Sequence, residues 1–218
     1  MSVYRPPMPA TELPDRARVV VIGGGIIGAS VAYHLGHLGW SDTVLLERDR
    51  LTSGTTWHAA GLMVTFGSMS QTQTEMRQYT RDLYARLEVE TGLSTGFMPI
   101  GFIELAADAD RLEEFRRVSI FNRYCGVDVH EIGPSEVQEL FPMARVDDIV
   151  AGFYVPGDGR ANPADATMSL AKGARMQGVT IIEETPGLEI LTQDGAVVGV
   201  RTPKGNIECE YVVNCARI

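Results

Sequence analysis

Hydrophobic residues change their spacing early in this chain. An apolar run at 19–22 breaks into three glycines at 23–25, and residues 29–38 then carry apolar side chains at helical spacing before Gly39. A second apolar run follows at 43–46. A short apolar run, a glycine turn, an amphipathic helix and a second apolar run predict a strand–helix–strand unit with parallel strands.

The rest of the chain mixes amphipathic stretches with short β-favouring runs. Hydrophobic periodicity predicts helices at 70–91, 108–124, 136–140 and 164–177. Alternating or short apolar runs predict a strand pair within 97–107 and strands at 127–132, 149–155, 179–182, 188–191, 197–202 and 207–213. In the first of these helices, Met76, Tyr79, Leu83 and Leu87 form the apolar stripe that is expected to face the core.

Strands from both ends of the chain can complete one sheet, so the middle of the chain is expected to form a separate lobe. The predicted fold class is α/β, with a Rossmann-like nucleotide-binding domain and an inserted α+β substrate lobe. The predicted segments are a disordered lead-in at 1–16, the first part of the nucleotide-binding domain at 17–95, the inserted lobe at 96–155 and the second part at 156–218.

Composition narrows the functional classes. The chain is 44% hydrophobic and 22% charged, which is ordinary for a globular protein, and its net charge of −9 argues against a general nucleic-acid surface. No apolar run approaches the roughly 20 residues that a membrane span needs, and no secretory signal is evident. Three cysteines without C-x-x-C spacing indicate reduced thiols. The predicted location is therefore the bacterial cytoplasm rather than the mitochondrial matrix.

The glycine turn carries the spacing of a dinucleotide-binding motif. Gly23 permits a tight turn, Gly25 permits close approach of backbone to a pyrophosphate, and Gly28 permits the helix to pack on the strand. The helix that begins there directs its free N–H groups and positive dipole end at the turn. Glu47 follows about 20 residues after Gly28, the offset at which a carboxylate meets the ribose of a bound adenosine.

Residues 54–62 form a second candidate segment, with small and hydroxyl residues around Trp57 and His58. Such residues offer backbone and hydroxyl donors to phosphate or to ring heteroatoms, and they leave room for a flat group. A lone histidine is more often a partly buried structural residue with a local hydrogen bond, but the small and hydroxyl neighbours of His58 weaken that interpretation here. An NAD-binding dehydrogenase also remains open at this point, since Glu47 would serve either adenosine.

Three motifs together resemble a known family. The sequences VIGGGIIG at 21–28, Glu47-Arg48, and GTTWHAAGL at 54–62 resemble those of the FAD-dependent dimethylglycine and sarcosine dehydrogenases, which have a D-amino-acid-oxidase-like fold. The resemblance runs from about residue 18 to residue 216, and the Trp-His-Ala-Ala-Gly signature is its most specific part. The chain stops where this family continues, so it is expected to be an N-terminal portion.

The resemblance implies a cofactor and a set of residues that bind it. FAD is expected, and the resemblance implies covalent attachment, with His58 joined to the 8α-methyl group of the flavin. No catalytic residue and no metal ligand is assigned. The implied cofactor-binding residues are Gly23, Gly25, Ile27, Gly28, Glu47, Arg48, Gly54, Thr55, Thr56, His58, Ala60, Gly61, Leu62, Leu188 and Ala216. Gly187 is a departure, because relatives place a β-branched residue there, with its backbone at the adenine.

The resemblance also implies a reaction. Hydride passes from an N-methyl group of a secondary or tertiary amine to flavin N5, and the resulting iminium is captured by water or tetrahydrofolate. A small-molecule amine is the expected substrate, the electron acceptor stays open, and an oligomer is possible. The alternative is a non-catalytic regulatory or scaffold protein that keeps the same fold.

Overall fold

The computed structural model describes residues 12–216. Its helices are α1 (Ile26–His37), α2 (Gln71–Thr91), α3 (Ala109–Tyr124), α4 (Pro134–Leu140) and α5 (Pro163–Met176), and a 3₁₀ turn spans Thr56–His58. Its strands are β1 (Val19–Ile22), β2 (Thr43–Leu46), β3 (Leu62–Met63), β4 (Phe102–Ala106), β5 (His130–Ile132), β6 (Ala151–Val155), β7 (Gly159–Arg160), β8 (Thr180–Ile182), β9 (Glu189–Gln193), β10 (Ala196–Thr202), β11 (Gly205–Glu208) and β12 (Tyr211–Asn214).

The described chain forms two compact units. The first combines residues 12–59 with residues 167–216, and the second comprises residues 60–166. The inserted lobe predicted at 96–155 lies within the second unit, which starts well before it and ends after it. The chain therefore leaves and re-enters the first unit, as expected when strands from both ends complete one sheet.

The first unit is built on a parallel sheet with strand order β12-β1-β2-β8. Val20 of β1 lies opposite Val212 on one side and Val44 on the other. β1 and β2 are almost wholly buried, as their unbroken apolar runs suggest, because a parallel sheet needs cover on both faces. Strands β9, β10 and β11 form a separate antiparallel sheet, and Val200 and Ile207 from it join the core of this unit.

Two expectations for the first unit are corrected. The single strand predicted at 207–213 is two strands, because β11 pairs with β10 whereas β12 pairs with β1 in the other sheet. Of the lead-in predicted to be disordered at 1–16, residues 1–11 lie outside the described residues. Its end is ordered: Leu13 packs against the core, and the Glu208 N–H donates to the Asp15 carbonyl oxygen at 2.9 Å.

The second unit contains an antiparallel sheet with strand order β4-β6-β5. The rings of Phe66, Phe115 and Phe153 pack together in its core, with centroids 5.6–5.8 Å apart. Ser70 caps α2 by accepting a hydrogen bond from the Gln73 N–H, so the helix begins one residue after the start predicted for it.

Two expectations for the second unit also need correction. The strand pair predicted within 97–107 is the single strand β4, because its partner is the distant β6 and Met98 instead bridges to Arg160. The apolar stripe of α2 is only half covered among the described residues. Leu83 and Leu87 are buried as predicted, whereas Met76 is 65% exposed and Tyr79 is 44% exposed.

A buried acid braces the second unit. The Asp158 carboxylate accepts hydrogen bonds from both the N–H and the hydroxyl of Thr65, each at 2.7 Å. Burial raises the pKa of Asp158, while the hydrogen bonds from Thr65 act in the opposite direction. Because both carboxylate oxygens accept hydrogen bonds from within the unit, Asp158 has a structural explanation.

Candidate cofactor-binding site

A cleft of about 570 Å³ lies in the first unit, at the carboxyl ends of its parallel strands. β1 has β2 on one side and β12 on the other, so the strand order reverses there. Open parallel sheets bind ligands at such a switch point. The cleft is lined by Ile22, Gly23, Gly24, Gly25, Ile26, Ile27, Leu46, Glu47, Arg48, Ser53, Gly54, Thr55, Thr56, Ala59, Pro186, Gly187, Cys215 and Ala216.

Glycine is required at different positions of the turn after β1 for different steric reasons. Gly23 adopts a φ of 110°, and a Cβ atom there would lie 2.7 Å from the carbonyl oxygen of Cys215. A Cβ at Gly28 would lie 1.8 Å from the Gly23 carbonyl oxygen, so α1 can begin this close to the turn only with glycine. Gly28 thus allows α1 to pack against the turn, whereas Gly23 and Gly25 line the cleft.

The amino end of α1 is arranged to receive an anion. Its N-cap is Gly25, which offers no side-chain cap, and its first turn carries no acidic residue. The Ile26 N–H donates to the Thr56 hydroxyl at 3.0 Å, which ties residues 54–58 to this helix end. The remaining N–H groups of the first turn and the positive dipole end of the helix therefore suit a phosphate group.

Glu47 stands at the end of β2 and is buried. One of its carboxylate oxygens accepts the Gly24 N–H at 2.6 Å, and the other accepts the Asp49 N–H at 2.9 Å. Each oxygen retains a lone pair that can accept a hydroxyl proton. Glu47 can therefore hold the glycine turn and still accept a hydrogen bond from a ribose.

Residues 54–59 adjoin the glycine turn, and all of them except Trp57 and His58 line the cleft. Gly54, Thr55 and Thr56 line the cleft, and the 3₁₀ turn that follows is closed by the His58 N–H donating to the Thr55 carbonyl oxygen at 3.1 Å. His58 is exposed and its ring lies against Trp57, with centroids 3.7 Å apart. The imidazole is therefore accessible rather than buried as a core histidine.

Several predicted residues lie outside this cleft. Ala60, Gly61 and Leu62 belong to the second unit, where a Cβ at Gly61 would lie 2.2 Å from the Ala161 carbonyl oxygen. That close approach gives Gly61 a structural explanation. Leu188 is 58% exposed, and Pro186 and Gly187, the two residues before it, line the cleft in its place.

Other lining residues were not anticipated. A Cβ at Gly24 would lie 2.7 Å from Leu51 Cδ2 and 2.8 Å from Glu47 Cβ, so the middle glycine is as constrained as its neighbours. The uninterrupted run of three glycines in the sequence was the signal that could have identified Gly24. Cys215 also lines the cleft, and burial raises the pKa of its thiol, which keeps the thiol protonated at neutral pH.

Neither a metal-binding cluster nor a membrane-spanning helix is found in the part of the chain that the structure describes. Residues 12–216 contain no group of three or more histidine, cysteine or acidic side chains placed to hold a metal ion. Over the same residues, none of the helices combines the length and the apolar character that crossing a bilayer requires.

Comparison with known proteins extends the likeness along almost the whole chain. A family model described as "DAO: FAD dependent oxidoreductase" matches residues 18–216. The chain is 43% identical over 216 residues to human mitochondrial sarcosine dehydrogenase, covering 96% of this chain and 23% of that protein. It is 40% identical over 211 residues to rat mitochondrial dimethylglycine dehydrogenase, covering 97% of this chain and 24% of that protein.

A relative with a different kind of name is equally similar. The chain is 44% identical over 204 residues to the mouse mitochondrial pyruvate dehydrogenase phosphatase regulatory subunit, covering 94% of this chain and 23% of that protein. Among solved structures, L-proline dehydrogenase from P. horikoshii superposes with a TM-score of 0.88 at 28% identity, covering 94% of this chain and 54% of that one. The chain thus spans about a quarter of the length of these curated relatives.

The names of these relatives overturn one prediction. A bacterial cytoplasmic location was expected from the reduced cysteines and the lack of a recognisable targeting segment, yet the animal relatives are mitochondrial proteins. The cytoplasmic prediction is therefore wrong. Free thiols do not distinguish two compartments that both keep cysteines reduced, so cysteine content carried no information on this choice.

Proposed function

Because the chain belongs to the DAO family of FAD-dependent oxidoreductases, we propose that it takes part in oxidising an N-methyl group of a secondary or tertiary amine such as sarcosine or dimethylglycine. The observation that carries this proposal is the likeness to sarcosine and dimethylglycine dehydrogenases over nearly the whole chain. The cleft at the carboxyl ends of β1 and β2 supplies the place for the cofactor.

The residues of the cleft fit FAD. Gly25 has no side chain, and a Cβ atom there would crowd the Thr56 hydroxyl oxygen at 3.0 Å. Without that Cβ, the backbone at Gly25 can come close to a pyrophosphate. The uncapped amino end of α1 would hold the phosphates, and Glu47 would accept hydrogen bonds from the ribose. Arg48, Pro186 and Gly187 line the same cleft beside Glu47 and would border the adenine.

When bound, FAD supplies a hydride acceptor for oxidation of the amine. The contribution of this chain is to fix the cofactor through the glycine turn, Glu47 and the hydroxyl of Thr56. Fixing a reactant in one orientation accelerates a reaction by removing the entropy cost of alignment.

We also propose His58 as the residue that attaches FAD covalently. It ends the 3₁₀ turn that begins with the cleft-lining Thr56, and Ala59 beyond it lines the cleft again. The exposed imidazole is free to react, and a neutral imidazole nitrogen is nucleophilic near neutral pH. The small side chain of Ala59 leaves room for the dimethylbenzene edge of a flavin.

The attachment is tested with His58→Ala. Protein prepared with FAD and precipitated with acid should keep its flavin absorbance in the pellet, whereas the His58→Ala pellet should be colourless, because acid releases flavin that is held only by noncovalent contacts. The matched control is His130→Ala, which removes another exposed histidine, paired with Asp128, in the second unit. Wild-type flavin found entirely in the supernatant would refute attachment.

Amine oxidation itself is tested by reduction of bound flavin. In the absence of oxygen, sarcosine or dimethylglycine should bleach the flavin absorbance of the FAD-loaded protein, and glycine, which lacks the N-methyl group, should not. The contrast between sarcosine and glycine isolates the reacting methyl group from the carboxylate that the two amino acids share. Equal bleaching by sarcosine and glycine, or no bleaching by any of the three compounds, would contradict the proposed reaction.

A second candidate function is regulatory. It is favoured by the likeness to the pyruvate dehydrogenase phosphatase regulatory subunit, whose name describes a regulator and not an oxidoreductase. A regulator of this fold would keep the phosphate turn and Glu47 and could bind FAD as a structural group. Stable FAD binding without any amine-dependent bleaching would favour this candidate over the dehydrogenase.

A further inference from the structure

Two glutamates follow neighbouring strands of the parallel sheet, and only one of them belongs to a recognised motif. Glu47 follows β2, and Glu183 follows β8, the strand that pairs with β2. The Leu51 N–H donates to Oε1 of Glu183 at 2.7 Å. Glu183 is partly buried and does not line the cleft. Its carboxylate therefore holds the turn after β2 without lining the cleft itself.

That turn contains an unfavourable backbone conformation. Thr52 has a φ of 73°, in the left-handed region that β-branched residues rarely adopt. The turn is closed by the Ser53 N–H, which donates to the Arg50 carbonyl oxygen at 3.1 Å. A strained residue persists only where its surroundings over-determine its conformation. The bond from Leu51 to Glu183 supplies such a restraint immediately before the strained residue.

The strained residue contacts the phosphate turn directly. The Thr52 N–H donates to the Gly24 carbonyl oxygen at 3.1 Å, while the Gly24 N–H donates to Glu47 at 2.6 Å. Gly24 is thus held through both of its backbone groups. With its oxygen engaged by Thr52, Gly24 does not present a free carbonyl dipole to the anion that the neighbouring N–H groups attract.

We propose that Glu183 is a positioning residue for the cofactor pyrophosphate. Its carboxylate fixes Leu51, the fixed turn presents the Thr52 N–H, and that N–H holds Gly24 in the conformation that receives the phosphates. This inference rests on the proposed function only in placing the adenosine and phosphates of FAD in the cleft. It does not depend on amine oxidation or on attachment through His58.

The test uses ADP, which carries the adenosine and both phosphates of FAD but no flavin, and adenosine, which lacks the phosphates. Binding is measured calorimetrically on the whole chain for wild type, Glu183→Ala and Glu183→Gln. Glu184→Gln is the control, since it removes the same charge from an exposed side chain one residue away. Thermal unfolding of each ligand-free variant reports any loss of the fold itself.

Glu183→Ala should bind ADP about tenfold or more weakly, the effect of losing one hydrogen bond to a charged group. Its affinity for adenosine should stay within about twofold of wild type. Glu183→Gln keeps an acceptor oxygen and should restore most of the ADP affinity, and Glu184→Gln should match wild type. Unchanged ADP binding by Glu183→Ala would overturn the proposal. So would equal losses for ADP and adenosine, a fall explained by unfolding, or a wild type that binds no ADP.

Discussion

Gly28→Ala should destabilise the first unit and abolish cofactor binding, although alanine is the better helix former. The new Cβ would lie 1.8 Å from the Gly23 carbonyl oxygen, and the atom it meets is backbone rather than the end of a flexible side chain. Relief requires α1 to move away from the turn after β1. Overpacking of this kind costs about 1–3 kcal/mol or more, against a gain of about 1 kcal/mol from helix propensity.

The steric cost should therefore prevail, and its effect on binding should exceed its effect on folding. The amino end of α1 and the glycine turn are the two parts that would hold the pyrophosphate, and Gly28→Ala pushes them apart. Urea unfolding monitored by fluorescence measures the stability, and FAD retained after gel filtration measures binding. We expect a loss of about 2–3 kcal/mol in the free energy of unfolding and no retained noncovalent FAD.

Gly54→Ala provides the matched control. Gly54 lines the same cleft, yet a Cβ there would meet nothing within 4 Å, and its backbone does not lie at positive φ. The same change should leave stability unchanged or raise it by up to about 1 kcal/mol, through the reduced entropy of the unfolded chain. If Gly28→Ala matched Gly54→Ala in both stability and FAD content, the steric role assigned to Gly28 would be wrong.

The elements that position the site were predictable because their signals are local. The buried run at 19–22, the glycine triplet and the helical spacing after it lie within about one turn of one another, and β1, α1 and β2 formed where the pattern indicated. The α/β fold and the membership of an FAD-dependent family are confirmed. The same motif predicted a steric role for Gly28, but it did not indicate that the nearest atom is the Gly23 carbonyl oxygen.

The failed strand predictions share a non-local cause. Residues 97–107 alternate like a strand pair, but β4 finds its partner about 50 residues later in β6, and no local pattern encodes that pairing. The run at 207–213 divides because its two halves join different sheets. Periodicity shows which face of an element is apolar, whereas the partner that covers the face is decided elsewhere in the chain.

The cleft shows the same division between local and distant information. Glycines and hydroxyl residues in the sequence predicted a phosphate site. Nothing in the sequence around Leu51 indicates that its N–H donates to Glu183, more than a hundred residues away. The φ of Thr52 is equally hidden, since threonine ordinarily avoids that region. Residues that act by bracing backbone therefore escape motif analysis, because their side chains need not contact the ligand.

Glu47→Ala should have an effect comparable to that of Gly28→Ala, for an electrostatic rather than a steric reason. The buried carboxylate accepts the N–H groups of Gly24 and Asp49, and alanine would leave both donors without that partner. Each lost hydrogen bond to a charged group is worth about 1.5–3 kcal/mol, and water entering the cleft would recover part of it. We expect a loss of about 2–4 kcal/mol in the free energy of unfolding and at least about a hundredfold weaker binding of FAD.

Glu47→Gln separates the two tasks assigned to this side chain. Glutamine keeps one acceptor oxygen but turns an amide N–H₂ group toward the second donor, so stability should fall less than in Glu47→Ala. Its affinity for adenosine should still drop clearly, because the ribose loses a charged acceptor. Glu210→Gln, which breaks an exposed pair with Arg18, should change stability by less than about 1 kcal/mol. If wild type and Glu47→Gln bound adenosine equally, Glu47 would not bind the ribose, and its only role would be to hold the Gly24 N–H.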